Sequence, residues 1–92
     1  MTEVSTVLVR YWAAARAASG VESDAVAVTG DVSLAEVVAA AVDMHPDRPR
    51  LRDVVGVCSI LVGDRPVGRS DPAAVVVHPG DTVELLPPFA GG

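Results

Sequence analysis

The sequence predicts an α+β domain, a mixed β-sheet covered on one face by a single main helix. Three observations lead there. Residues 32–46, VSLAEVVAAAVDMHP, read as an amphipathic helix with both of its ends marked. Runs rich in β-branched residues stand near both ends of the chain, VSTVLVRYW at 4–12 and DTVELL at 81–86. The chain has 92 residues, half of them hydrophobic, which suits one core and leaves no room for a second domain.

Taken in order, residues 4–12 form a first strand. Val7, Val9 and Tyr11 share one face, and Leu8, Arg10 and Trp12 share the other, because side chains alternate along a strand. AAARAASG (13–20) predicts one or two helical turns stopped by Gly20. DAVAVTG (24–30) is a second strand, with Ala25 and Ala27 on one side and Val26 and Val28 on the other. Ser33 is a good helix N-cap, and Glu36, three residues on, completes a capping box. Val32 and Val37 flank it as a hydrophobic staple. Leu34, Val37, Val38, Ala41 and Val42 then fall on one face. His45-Pro46 ends the helix, since the residue before proline avoids the helical region. PDRPRLRD (46–53) reads as a loop with three arginines. VCSILVG (57–63) is a third strand, turned at Asp64-Arg65-Pro66 toward Val67, and AAVVVH (73–78) a short fourth. Pro79-Gly80 suits the centre of a type II turn. In the last strand, Val83 and Leu85 point inward and Glu84 outward. If the first and last strands pair side by side in parallel, the helix between them supplies the crossover. That arrangement is a β-grasp, the ubiquitin-like fold, in one domain spanning 1–92.

Composition narrows the function. A formal charge of −5 argues against nucleic acid, whose phosphates need a basic face. All seven basic side chains are arginine, so an activated acyl group on this chain meets no internal lysine. Cys58 is the single cysteine and stands inside an apolar strand, which makes it an inert thiol. It also rules out an internal disulfide and a cysteine-based zinc spacing. The start has no signal-type apolar block and no run approaches membrane-spanning length, so the expected location is the cytoplasm, with no membrane partner. His45 ends a helix and His78 precedes a turn. Asp64 and Asp71 are turn residues, and the glycines at 56, 63 and 68 lack a phosphate-loop pattern. No catalytic constellation emerges.

The remaining signal is the ending, LLPPFAGG (85–92). Pro87 and Pro88 cannot donate to a ladder, so strand pairing stops there, and two prolines favour a stiff, extended path. Beyond Pro88, four residues span at most about 14 Å. Gly91 and Gly92 lack Cβ atoms and suit a narrow tunnel in a partner enzyme. Adenylation of the Gly92 carboxylate would give a mixed anhydride. Attack by sulfide would release AMP and leave a thiocarboxylate, a deliverable sulfur atom. Leu8, Trp12 and Leu86, on the sheet face away from the helix, are expected to form an apolar patch with Phe89, and such patches mark interfaces; the alternative for Trp12 is that it closes the edge of the core.

With VRYWAAARAASG, SLAEVVAAAVDMHP, HPGDTVE and LLPPFAGG in view, the chain resembles the ubiquitin-like MoaD/ThiS sulfur-carrier family over nearly its whole length. The Pro-Pro-x-x-Gly-Gly ending is most similar to the branch that forms the small subunit of molybdopterin synthase. Thiamine-pathway carriers are usually shorter and lack the proline pair. The resemblance implies a non-catalytic sulfur donor in molybdenum cofactor biosynthesis that binds no cofactor itself. A ubiquitin-activating-like enzyme would adenylate Gly92 with ATP and magnesium, and a sulfurtransferase would supply sulfur. The tail would then enter the large synthase subunit and deliver sulfur to cyclic pyranopterin monophosphate. Gly91 and Gly92 correspond to the family's reacting end, and Phe89, Pro87, Pro88 and Leu86 to its docking segment. The alternatives are a carrier for thiamine, cysteine or tRNA thiolation, a ubiquitin-like protein modifier, and a plain β-grasp binding module with an incidental tail.

Overall fold

The computed structural model describes residues 4–88. Strand β1 (Ser5–Tyr11) alternates as expected: Val7, Val9 and Tyr11 are buried, while Leu8 and Arg10 are exposed. Helix α1 (Ala13–Ser19) follows at once, and Ala13 takes the corner with φ of +48°. It stops at Gly20, whose φ is +81°. The positive φ favours glycine there, and the Arg48 guanidinium, 2.6 Å from where a Cβ would stand, would have to swing aside for any larger residue. Strand β2 (Ser23–Val28) returns antiparallel to β1, burying Val26 and Val28.

A two-residue strand, β3 (Val32–Ser33), leads into α2 (Leu34–Asp43). The cap is present: Ser33 Oγ accepts from the Glu36 N–H at 3.1 Å. Leu34, Val37 and Ala41 are buried against the sheet, and Val38 and Val42 pack on the same core from the flank. Strand β4 (Ser59–Val62) turns through Gly63-Asp64 into β5 (Arg65–Pro66), with φ of +63° at Gly63. Strand β6 (Val76–Val77) pairs with β3 in a separate small ladder. The Pro79-Gly80 turn is closed by Asp81 N–H donating to the His78 carbonyl at 3.0 Å, with Gly80 at φ +89°. Strand β7 (Thr82–Leu86) then enters the middle of the main sheet, whose order is β2-β1-β7-β4-β5. β7 runs parallel to β1 and antiparallel to β4. This is the β-grasp expected from the element order.

Two segments differ from the sequence reading. Residues 46–53 are not all loop, because α3 (Leu51–Gly56) begins inside them and buries Leu51 and Val55. These two side chains, four apart, form a helical stripe that the surrounding prolines and arginines obscure. Val57 and Cys58 finish that helix through bonds to the Val54 and Val55 carbonyls, so β4 starts at Ser59 and not at 57. The fourth strand is also shorter than 73–78. Pro72–Ala74 form a 3-10 turn capped by Asp71, whose side chain accepts from the Ala73 N–H at 3.0 Å, and only Val76–Val77 pair.

The β3–β6 ladder is pinned at one end by His78 Nδ1, 2.8 Å from Asp31 Oδ1. The hydrogen bond to Asp31, then its charge, raises the pKa of His78 above the ordinary 6.5. The folded value lies above the unfolded one. The pair therefore supports the fold fully below about 6.5, and that support is lost as pH rises through the raised value. Asp31→Asn is expected to bring the His78 pKa back toward its ordinary value in an NMR titration. An unmoved titration would show that Asp31 is not the cause.

Candidate functional site

The site is the outer face of the sheet where β7 leaves it. Thr82, Glu84 and Leu86 face outward between buried Val83 and Leu85. Leu86 lies opposite Ser59, the first residue of β4, and the ladder ends there. Pro87 is half-buried and Pro88 exposed, and neither belongs to a strand, as two residues without an N–H donor dictate. A strand held on both sides thus places the base of the tail. Phe89, Gly91 and Gly92 lie outside the described residues.

Trp12 is 39% exposed on the outer face, not buried at the core edge. Its backbone N–H donates to the Leu85 carbonyl at 3.2 Å, which fixes it beside the tail's origin. Its indole N–H donates to Glu84 Oε1 at 3.3 Å, and the Arg10 guanidinium stands 4.7 Å from the ring centroid. Arg10 also lies 3.6 Å from Glu84. The three side chains hold one another on the surface, so the indole is presented in a set orientation.

The expected apolar patch is only partly assembled. Trp12 and Leu86 adjoin at one end, because the register places Tyr11 beside Leu85. Leu8 is 38% exposed on the same face but stands beside Thr82, four residues along β7 from Leu86, which is about 13 Å of strand. Arg10 and Glu84 lie between them. The face is an apolar corner at the tail with a charged middle.

The other residues considered for chemistry have structural partners. Cys58 is half-buried, its Sγ–H donates to the Val54 carbonyl at 3.2 Å, and burial raises its pKa. Both features disfavour the thiolate. Among the described residues no group of three or more His, Cys, Asp or Glu could hold a metal ion, and no helix is long and apolar enough to cross a membrane.

One polar cluster escaped the sequence reading. Asp24 Oδ2 accepts from the Tyr11 hydroxyl at 2.7 Å and lies 2.6 Å from His45 Nε2. The Tyr11 and His45 rings meet edge to face, centroids 6.3 Å apart. Burial, then the Asp24 bond and charge, raises the Tyr11 pKa far beyond the phenol range. A signal was available: Asp24 has the parity of Val26 and Val28, so it faces inward and needs a partner. His45, at the end of α2, reaches it. The cluster ties that helix end to β1 and β2, on the helix side of the sheet and away from the tail face.

Comparison with known proteins gives one family and one fold. A model of the ThiS family matches residues 9–92. No curated protein matches significantly by sequence. Among solved structures, the HVO 2177 protein of Haloferax volcanii is 24% identical, with 97% of this chain and 88% of that one covered and a TM-score of 0.72. The small archaeal modifier protein 1 of Methanosarcina acetivorans is 19% identical, covering 98% of this chain and 99% of that one, at a TM-score of 0.73. A chain in the complex of subunits 1 and 2 of the molybdopterin-converting factor from Helicobacter pylori is 24% identical, covering 95% and 99%, at a TM-score of 0.61. At these identities the likenesses establish the fold.

Proposed function

The chain belongs to the ThiS family, a small non-catalytic ubiquitin-fold sulfur carrier of the ThiS/MoaD kind, and from that premise we propose that it serves molybdenum cofactor biosynthesis as the small subunit of molybdopterin synthase. The observation that carries the reading is the ending PPFAGG, set directly after a central strand and reached in full by the family match. In this reading, an adenylating enzyme uses ATP and magnesium to join the Gly92 carboxylate to AMP, with pyrophosphate leaving. Hydrosulfide from a sulfurtransferase system attacks the acyl carbon and displaces AMP, leaving the thiocarboxylate. The large synthase subunit receives the tail, and the sulfur passes to the pterin precursor.

The chain's own residues supply positioning. Pro87 and Pro88 carry the end away from the ladder, the paired glycines admit a close approach by the partner's backbone, and Phe89 anchors the tail. Trp12 and Leu86 form the apolar corner of the docking face. The Helicobacter complex, which joins two subunits of the molybdopterin-converting factor, supports a large-subunit partner here.

The test is intact mass spectrometry after incubation with ATP, a cognate activating enzyme and a sulfur source. Exchange of one carboxylate oxygen for sulfur, followed by dithiolene formation with the large subunit, is the expected result. Conjugation to another protein would identify a modifier instead, and sulfur transfer only to a thiamine or tRNA acceptor would move the chain to another pathway. Trp12→Ala is expected to weaken large-subunit binding about tenfold or more, in line with loss of an interface aromatic. Isothermal titration reads this directly, and an unchanged affinity would remove Trp12 from the docking face.

A further inference from the structure

A hollow lies on the other side of the sheet from Trp12, between α2 and the segment from α3 through β4 to the residues after β5. Its volume is about 500 Å³. Ala35, Ala39 and Gly56 leave the space open, and Val38, Ile60 and Val67 wall it with apolar surface while packing on the core beneath. Arg52 stands at one end, shared with an adjoining hollow that Arg48, His45 and Asp43 line. The other two basic groups there are engaged: Arg48 packs over Gly20, and His45 pairs with Asp24. Arg52 is exposed and takes part in no ion pair among the described residues.

We propose that this groove binds a small apolar carboxylate, its hydrocarbon body along α2 and its carboxylate at Arg52. The size argues for a small molecule over a macromolecule. The volume falls in the range of about 300–1,000 Å³ typical of ligand pockets. The exposed lining is far smaller than the roughly 800 Å² per partner of a standard protein interface. The charge sets the class: an apolar hollow whose end carries a cation in no ion pair among the described residues favours an amphipathic anion over an alcohol or an amine. Because the groove is separate from the tail face, occupancy does not obstruct the partner surface around Trp12 and Leu86.

The probe is dodecanoate, held below its micelle threshold and titrated into the full isotope-labelled chain, with dodecanol and dodecylamine as parallel arms. Saturable amide shifts at Val38, Ala39, Ile60 and Val67 are expected for the acid, with weaker binding of the alcohol and the amine. Arg52→Gln should weaken the acid about fivefold, the scale of an exposed ion pair, and leave the alcohol unchanged. Ala39→Leu fills the groove from an exposed helical position and should abolish binding of the acid and the alcohol while circular dichroism stays native. Cys58, the only thiol of the chain, lines the groove, so bound acid should also slow its alkylation. The proposal fails if no saturation is reached, if acid and amine bind alike, if Ala39→Leu has no effect, or if the shifts fall on Leu8 and Trp12.

Discussion

Replacing Asp24 with alanine is expected to destabilise the fold by about 2–3 kcal/mol, a large part of what a domain of this size has. Its carboxylate is the shared acceptor of a Tyr11 hydroxyl and a His45 ring nitrogen, in a setting where the Asp24 and His45 side chains are 15% and 14% exposed. Alanine removes both bonds and strands the hydroxyl of Tyr11, a residue only 3% exposed. An unmet buried polar group costs more than the bond it once made contributed. Two controls apportion the loss. Tyr11→Phe removes one donor and leaves the His45 contact, so about 1 kcal/mol is expected. Asp24→Asn keeps an oxygen for Tyr11 and should fall between that and alanine. Urea unfolding monitored by Trp12 fluorescence reads all three, and a change below about 0.5 kcal/mol for alanine would mean the cluster is solvated and incidental.

Removing Gly92 is expected to do the opposite: leave stability unchanged and abolish thiocarboxylate formation. Among the described residues the buried core runs from Val7 to Leu85, and a glycine has no side chain to add to a core. The proposed chemistry needs a terminal carboxylate with no side chain near it, and the shortened chain presents Gly91 one residue, about 3.5 Å, short of the activating site. Misplacement of that size is enough to lose a reaction that depends on orientation. Normal thermal melting with no oxygen-to-sulfur mass change is the expected pair of results. Equal thiocarboxylation of the shortened chain would place the reacting group elsewhere. If the chain is merely a β-grasp binding module, the deletion should be silent in every assay.

Much of this molecule is written locally. The inward faces of β1 and β7 follow from alternation, and the α2 start follows from Ser33 and Glu36. The turn at Pro79-Gly80 follows from two residues whose backbone preferences match a type II turn. The end of the ladder after Leu86 follows from two residues that cannot donate. Helix α3 was less legible, because its stripe of Leu51 and Val55 is too short to outweigh prolines and arginines without a core to bury it. The extent of β6 is not legible locally for a related reason: Ala73 and Ala74 accept either conformation, and the Asp71 cap together with the β3 partner decides between them.

The amino-acid order alone fixed the parity of each strand, the capped helix and the chemical character of the tail, because these depend on neighbours within a few positions. Only the tertiary structure could join Asp24 to Tyr11 and His45, 13 and 21 residues away along the chain. The same holds for Glu84, which meets Trp12 across 72 residues. Such contacts depend on strand register and on where a helix ends, and many sequences with the same periodicity leave both undetermined.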